Sequence, residues 1–243
     1  MQREALSEKL FESLISGDRP AARAVVEAAR KIITSPVDMV KDLFWPAHQT
    51  IEKLYRADQL SRLSHHMATR LLRQLVDQNA ARMSFTYSTG RTVLAFCGPS
   101  ENEELGAQMA VDVLEASGYE VHFGGSGVAN DEILARVNDQ KPDVLMMFCS
   151  AAQDLPNIRE LIDTLREINA SAHTQFAVGG GVFNRAEGLA EEIGADLWAL
   201  DPMEMVLCLT EEPERRAEQS QRTVGRSRRK PAGKASERLA DAA

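Results

Sequence analysis

Aromatic side chains are scarce, 5% of 243 positions, and cysteine is scarcer still. Cys97, Cys149 and Cys208 stand far apart in apolar stretches with no CxxC spacing. That pattern excludes a disulfide-knotted scaffold and a cysteine-based zinc site, and it reads as buried thiols in a reducing compartment. No run approaches the roughly 18 apolar residues that a membrane span requires, and Met1, Gln2, Arg3 and Glu4 lack the apolar core of a signal peptide. The expectation is a soluble, cytoplasmic protein without membrane contact. A P-loop, a hydrolase triad and a metalloprotease helix are missing as well.

What is present is ordinary globular material, 44% apolar and 26% charged, with an uneven charge distribution. The formal net charge is −8, yet residues 213–243 carry nine basic side chains against four acidic ones. This stretch has no aromatic residue and no apolar periodicity, so it cannot bury enough surface to offset its ordering entropy. It is expected to be a disordered basic tail. Between 222 and 234 six basic residues occur with no acid. They could contact nucleic acid non-specifically or an acidic partner, but no recognition helix accompanies them.

Residues 1–82 keep a helical period. Leu6, Leu10 and Leu14 form a stripe ending at Gly17; Asp18 with Pro20, then Ser35 with Pro36, are helix starts. A third helix runs through Leu43, Phe44, Ile51 and Leu54 with a bend expected at Pro46, and a fourth from about Asp58 carries Leu63, Met67, Leu71 and Leu75. Four such helices with short joints predict an antiparallel bundle. Over 90–210 the pattern changes to short apolar runs alternating with helices, the last over 185–193 and 202–209. Such alternation requires parallel pairing with helices on both faces. The fold class is therefore α then α/β: a four-helix bundle followed by a doubly wound five-stranded parallel sheet. Ligands of such sheets sit beyond the carboxyl ends of the strands, here at loops 98–106, 150–157 and 179–184.

Those loops hold the chemistry. Gly179, Gly180 and Gly181 let a flat ligand lie against bare backbone, with helix-opening amides beyond for an anion. Ser150 could hydrogen-bond the ligand's edge or cap a turn before Pro156. Ser100, Glu101, Asn102 and Glu103 read equally as a capping box at a helix start, and Gly106 as a point of close helix packing on the sheet. In the bundle, His65 and His66 point about 100° apart, so one faces inward.

Together these stretches resemble the corrinoid-binding module of methionine synthase, of methyltransferase corrinoid proteins and of cobalamin-dependent light-sensing regulators, over roughly residues 3–209. The segment from Glu101 to Gly106 stands where the family has Asp-x-His-x-x-Gly, Ser150 to Ala152 where it has Ser-x-Leu, and Gly179 to Gly181 at its double glycine. Tyr55, nine residues, His65 and His66 match the sensors' Trp, nine residues, Glu and His. The resemblance implies a flavodoxin-like sheet and a cobalamin, adenosyl or methyl form open, held between bundle and sheet. Tyr55, His66, Ser150, Gly179, Gly180, Gly181, Glu101 and Gly106 would contact it. The family's lower histidine is replaced by Glu103, which leaves Glu103 or His66 as axial ligand; a carboxylate suits harder cations than cobalt(III). His48 and His122 are weaker candidates, Trp45 reads as a core residue of the third helix, Trp198 as packing on the last strand, and His173 as loop.

The missing lower histidine favours a cobalamin sensor or regulator that acts through a protein partner. The alternatives are a methyl-carrying corrinoid protein of a methyltransferase system, and a module that binds haem or bilin or nothing.

Overall fold

The structure is a computed structural model that describes residues 2–85, 87–99, 104–168 and 172–217. Helix α1 (Gln2–Ser16) stops at Gly17, whose φ of 71° is open to glycine at little cost. α2 (Arg19–Ala29) starts at once, because the Asp18 carboxylate accepts the Ala21 N–H at 3.0 Å and Pro20 needs no donor in the first turn. Ser35 caps α3 (Pro36–Met39) through the Asp38 N–H at 3.4 Å.

The bend expected at Pro46 takes the form of a π-helical segment, Val40–Phe44, ahead of α4 (Trp45–Arg56); the Trp45 N–H reaches back five residues to Val40. Proline offers no N–H and its ring crowds the carbonyl four residues back, and the wider turn accommodates both. The fourth long helix, α5 (Arg62–Ala80), starts later than the periodicity suggests. Asp58 follows α4 at a φ of 55°, and Ser61 is the true cap, accepting the Ser64 N–H at 3.1 Å. α1 packs on α2, α4 and α5, and Leu10, Leu14, Val26, Phe44, Ile51 and Leu72 share one core.

The sheet has five parallel strands, β1 (Thr92–Cys97), β2 (Glu120–Gly125), β3 (Val144–Phe148), β4 (Gln175–Gly179) and β5 (Leu197–Ala199), in the order β2-β1-β3-β4-β5. On one face lie α6 (Leu105–Ala116) and α11 (Pro202–Glu211); on the other lie α7 (Asn130–Gln140) and α8 (Leu155–Glu167). The helix expected over 185–193 is two pieces, α9 (Gly181–Arg185) and α10 (Leu189–Glu192), separated by extended Ala186 and by Gly188 at a φ of 81°.

α6 joins the two halves. Its Leu105, Met109 and Val113, four apart, enter the bundle core, while Ala107, Ala110, Val111 and Leu114 enter the sheet core. A helix apolar on two faces is buried on both. The basic tail, expected to be disordered from 213, is held at its start. Gln175 Nε2 donates to the carbonyls of Glu212 (2.8 Å) and Arg215 (3.1 Å), the Arg215 guanidinium lies 4.8 Å over the Trp198 ring, and the Ala217 N–H donates to Asp196 (2.7 Å). The cause is Asp196, whose buried carboxylate also takes the Phe176 N–H at 2.7 Å and Arg166 at 2.8 Å. The rest of the tail, 218–243, with the basic stretch 222–234, lies outside the described residues. Among the described residues no helix is long and apolar enough to cross a membrane.

Burial between bundle and sheet has a titratable consequence. Asp112 of α6 accepts Gln108 Nε2 at 2.9 Å through one oxygen, while the other is buried with no partner among the described residues. Burial, with Glu115 and Asp77 nearby, raises its pKa from 3.8 to about 6. Below the lower value the carboxyl is protonated in both folded and unfolded chains. Between the two, the folded chain holds a proton that the unfolded chain has released, so stability falls as pH rises through this window and stays lower above it. Asp112→Asn should therefore raise stability at pH 7 by about 1 kcal/mol and flatten the pH dependence between 4 and 6, read by urea unfolding across pH.

Candidate functional site

Parallel strands end on one edge of the sheet, and α4 lies across that edge. Between them remains a cavity of about 360 Å³. Its buried floor is apolar: Cys97 at the end of β1, Ala107 and Ala110 of α6, Phe148 at the end of β3, and Ala199 and Met205 on either side of the β5–α11 turn. The α4 wall is a stripe of Trp45, His48, Gln49, Glu52, Lys53 and Arg56, opposite the Ala47 and Ile51 that face the bundle core. Ser150, Gly181, Asn184, Arg185 and Asp201 complete the rim.

Gly180 sets the spacing between the β3 and β4 exits. At a φ of 110° its backbone suits no other residue, and a Cβ there would stand 2.3 Å from the Cys149 carbonyl oxygen. The close approach brings Ser150 and Gly181 to the same rim, where Arg185 bridges them by donating to the Ser150 carbonyl at 2.7 Å. Gly180→Ala combines a strained φ with a backbone clash and should cost about 3 kcal/mol, measured by urea unfolding.

Of the residues singled out from sequence, Ser150, Gly106, Gly179, Gly180 and Gly181 all line the cavity. Gly106 does so for a different reason than expected: a Cβ there would meet His48 Nε2 at 3.1 Å and the Trp45 ring at 3.6 Å, so the close packing is against α4 and not the sheet. Glu101 and Glu103 lie outside the described residues, as does the Ser100 cap. Neighbouring Glu104 accepts the Ser126 N–H at 2.6 Å.

The bundle histidines fall the other way round. His65 is buried, its Nε2 2.7 Å from Glu52 and its ring stacked on Tyr55 at 3.9 Å, whereas His66 is exposed. The buried stripe of α5, Ala68, Thr69, Leu72 and Leu75, continues to His65 at helical spacing and leaves His66 outside. Neither Tyr55 nor His66 lines the cavity. Tyr55 and His65 form a layer behind Glu52, which does. His48, a weaker candidate from sequence, and Trp45, expected in the core, stand on the wall itself with ring centroids 5.6 Å apart. The Trp45 indole nitrogen is buried there with no partner among the described residues. His122 is on edge strand β2 beside Glu120, and His173 meets the Lys141 carbonyl in a loop; both are remote from the cavity.

Sequence reasoning missed Lys53, Arg56, Asn184, Arg185 and Asp201. The α4 stripe carried a usable signal: Trp45, His48, Glu52 and Arg56 recur at three- and four-residue steps on the side away from Ala47 and Ile51. For Arg185, the last residue of α9, and Asp201, the cap of α11, the chain offers no such regularity, since only the sheet brings the two positions together.

Comparison with known proteins places two matches on this architecture. Residues 91–207 match the family model described as "B12 binding domain", and residues 6–78 match a second model of the same description. Dimethylamine corrinoid protein 2 of Methanosarcina mazei is 23% identical over 206 residues, which cover 84% of this chain and 95% of that protein. The methanol–corrinoid protein of Methanosarcina barkeri is 22% identical over 176 residues, 72% of this chain and 67% of that one. Among solved structures, the Methanosarcina barkeri monomethylamine corrinoid protein superposes with a TM-score of 0.68 at 16% identity, covering 86% of this chain and 98% of its own.

Proposed function

Because this chain belongs to the cobalamin-binding domain family, we propose that it holds a corrinoid between α4 and the strand ends and serves as the methyl-carrying protein of a methyltransferase system. In this reading separate enzymes deliver the methyl group and remove it. The sensor role favoured by the residue pattern is set aside, because the curated relatives described above are a dimethylamine and a methanol corrinoid protein. Haem and bilin have no support among them either.

The observation that carries the reading is the cavity, walled by a bundle helix on one side and strand ends with three successive glycines on the other. Its donors suit the group. The buried Trp45 indole N–H has no partner among the described residues, and a corrinoid's amide side chains offer carbonyl acceptors. Ala107, Ala110, Phe148 and Met205 would keep water from the floor, and Ser150 with Gly179, Gly180 and Gly181 would receive the ligand's edge. His48, the imidazole of the wall among the described residues, stands closer to the site than Tyr55 or His66, and the contacts expected of that pair pass to Trp45 and His48. When bound, a corrinoid supplies a cobalt centre that takes up and releases a methyl group.

The full chain incubated with hydroxocobalamin should emerge from gel filtration coloured, with cobalt equimolar to protein. After reduction, iodomethane should shift its visible spectrum. Colourless protein would sink corrinoid binding; a coloured protein whose spectrum ignores reduction and iodomethane would sink the carrier role alone.

A further inference from the structure

Asp112 is a buried acid outside the cavity, only 7% exposed. It follows Leu105 by seven residues and Met109 by three, so it lies on the stripe of α6 that enters the bundle, where α5 packs. Gln108 Nε2 donates to its Oδ1 at 2.9 Å, and its Oδ2 is buried with no hydrogen-bond partner among the described residues. The charges that act on it have its own sign: Glu115, one turn along α6, and Asp77, across the seam on α5. Among the described residues no base offsets them. α11 and β2 pack on the other faces of α6 through apolar Met205, Cys208, Val121 and Phe123. α4 meets α6 at Gly106, through His48 and Trp45, almost two turns away.

An ionised carboxylate in this place has one oxygen without a donor and two anions beside it, so the closed seam disfavours the charged form. Burial raises the carboxyl from 3.8 to about 6, with Gln108 opposing the rise and the two acids adding to it. Parting α5 from α6 returns the group to water and relieves the repulsion. Below the lower value, closed and open seams both hold the proton and pH has no effect. Above it the open seam ionises first, so rising pH favours opening until the closed seam ionises as well. The gap between the two values limits the gain in open population to about a hundredfold, of which about tenfold falls between about pH 5 and 7.5. The open form stays a minor one, because parting the helices also exposes Leu105, Met109 and Val113.

We propose that Asp112 is a proton-operated latch between bundle and sheet: neutral, it lets α5 lie closed on α6, and ionised, it drives the two helices apart. α5 packs on α4, so the wall over the strand ends lifts with it and the cavity floor becomes reachable. A ligand of the cavity then enters and leaves more readily in neutral than in mildly acidic solution. The latch needs no particular ligand and stands apart from the corrinoid reading.

Three buried thiols supply the test. Cys97 is on the cavity floor, whereas Cys149 and Cys208 do not line the cavity. The full chain without ligand is treated with dithiodipyridine, and the labelling rate of each cysteine is followed by mass spectrometry. Asp112→Asn keeps the shape of the side chain and removes its charge, and comparison of the two chains at each pH cancels the titration of the thiol itself. The Cys97 rate in the unaltered chain, divided by that in Asp112→Asn, should rise about tenfold between about pH 5 and 7.5. In the unaltered chain Cys97 should also react faster than Cys149 and Cys208 and respond little to urea below the unfolding transition, as a local opening does. That second reading needs no variant. A ratio that stays flat with pH overturns the latch. So do three cysteines that share one rate and one urea dependence, because the acid then acts on global unfolding alone.

Discussion

Helix α6 has no solvent face to spare, and the geometry of the site follows from that. Leu105, Met109 and Val113 commit one side to the bundle, and Ala107, Ala110, Val111 and Leu114 commit the other to the sheet. Because both cores share this one helix, the bundle cannot rotate over the sheet without exposing apolar surface, at about 25 cal/mol for each Å². α4 is thus held over the strand ends at a distance that leaves room for a ligand. Small residues on the sheet side, Ala107 and Ala110, keep the floor low, and Gly106 lets His48 and Trp45 come down beside the first turn.

The same arrangement explains why charged groups gather where they do. Burying α6 on both sides strands Asp112 between bundle and sheet, where its carboxyl is held protonated to unusually high pH. At the open rim the situation reverses. Lys53, Arg56 and Arg185 are exposed at the rim beside Glu52 and Asp201, so the charged groups of the cavity gather at its open end and its depth is apolar.

Tyr55 and His66 show how a motif can locate a helix pair and still miss the contact. Tyr55 of α4 and His65 of α5, two members of that motif, stack on one another. The pair does not line the cavity; Glu52, bonded to His65, does. Among the rings of α4 it is His48 and Trp45 that face it, about two and three turns nearer the start of the helix than Tyr55, just past the π-helical segment that precedes Pro46. That segment rotates the following helix relative to an unbroken one, and no periodicity read along the chain reports the rotation.

Local rules sufficed for much of the fold. Asp18 with Pro20, Ser35 with Pro36, and Gly17 mark helix ends through hydrogen bonds and φ values confined to neighbouring residues, and the change from helical period to alternating short elements dictates parallel strands. Gly179, Gly180, Gly181 and Ser150 were legible for the same reason: a strand exit is a local event, and in parallel sheets every exit points to one edge. Which side chains meet there was settled by packing between distant segments. Arg56 and Arg185 are far apart in sequence and converge on Gly181 only after α6 has fixed the bundle over the sheet. His65 turned inward because the α5 stripe had a core to fill, and the chain beyond α11 returned to the sheet, where the Ala217 N–H meets buried Asp196 and Arg215 covers Trp198. Sequence determines what a backbone does over a few residues; the partners of a charge in a cleft depend on surfaces that exist only once the chain has closed on itself.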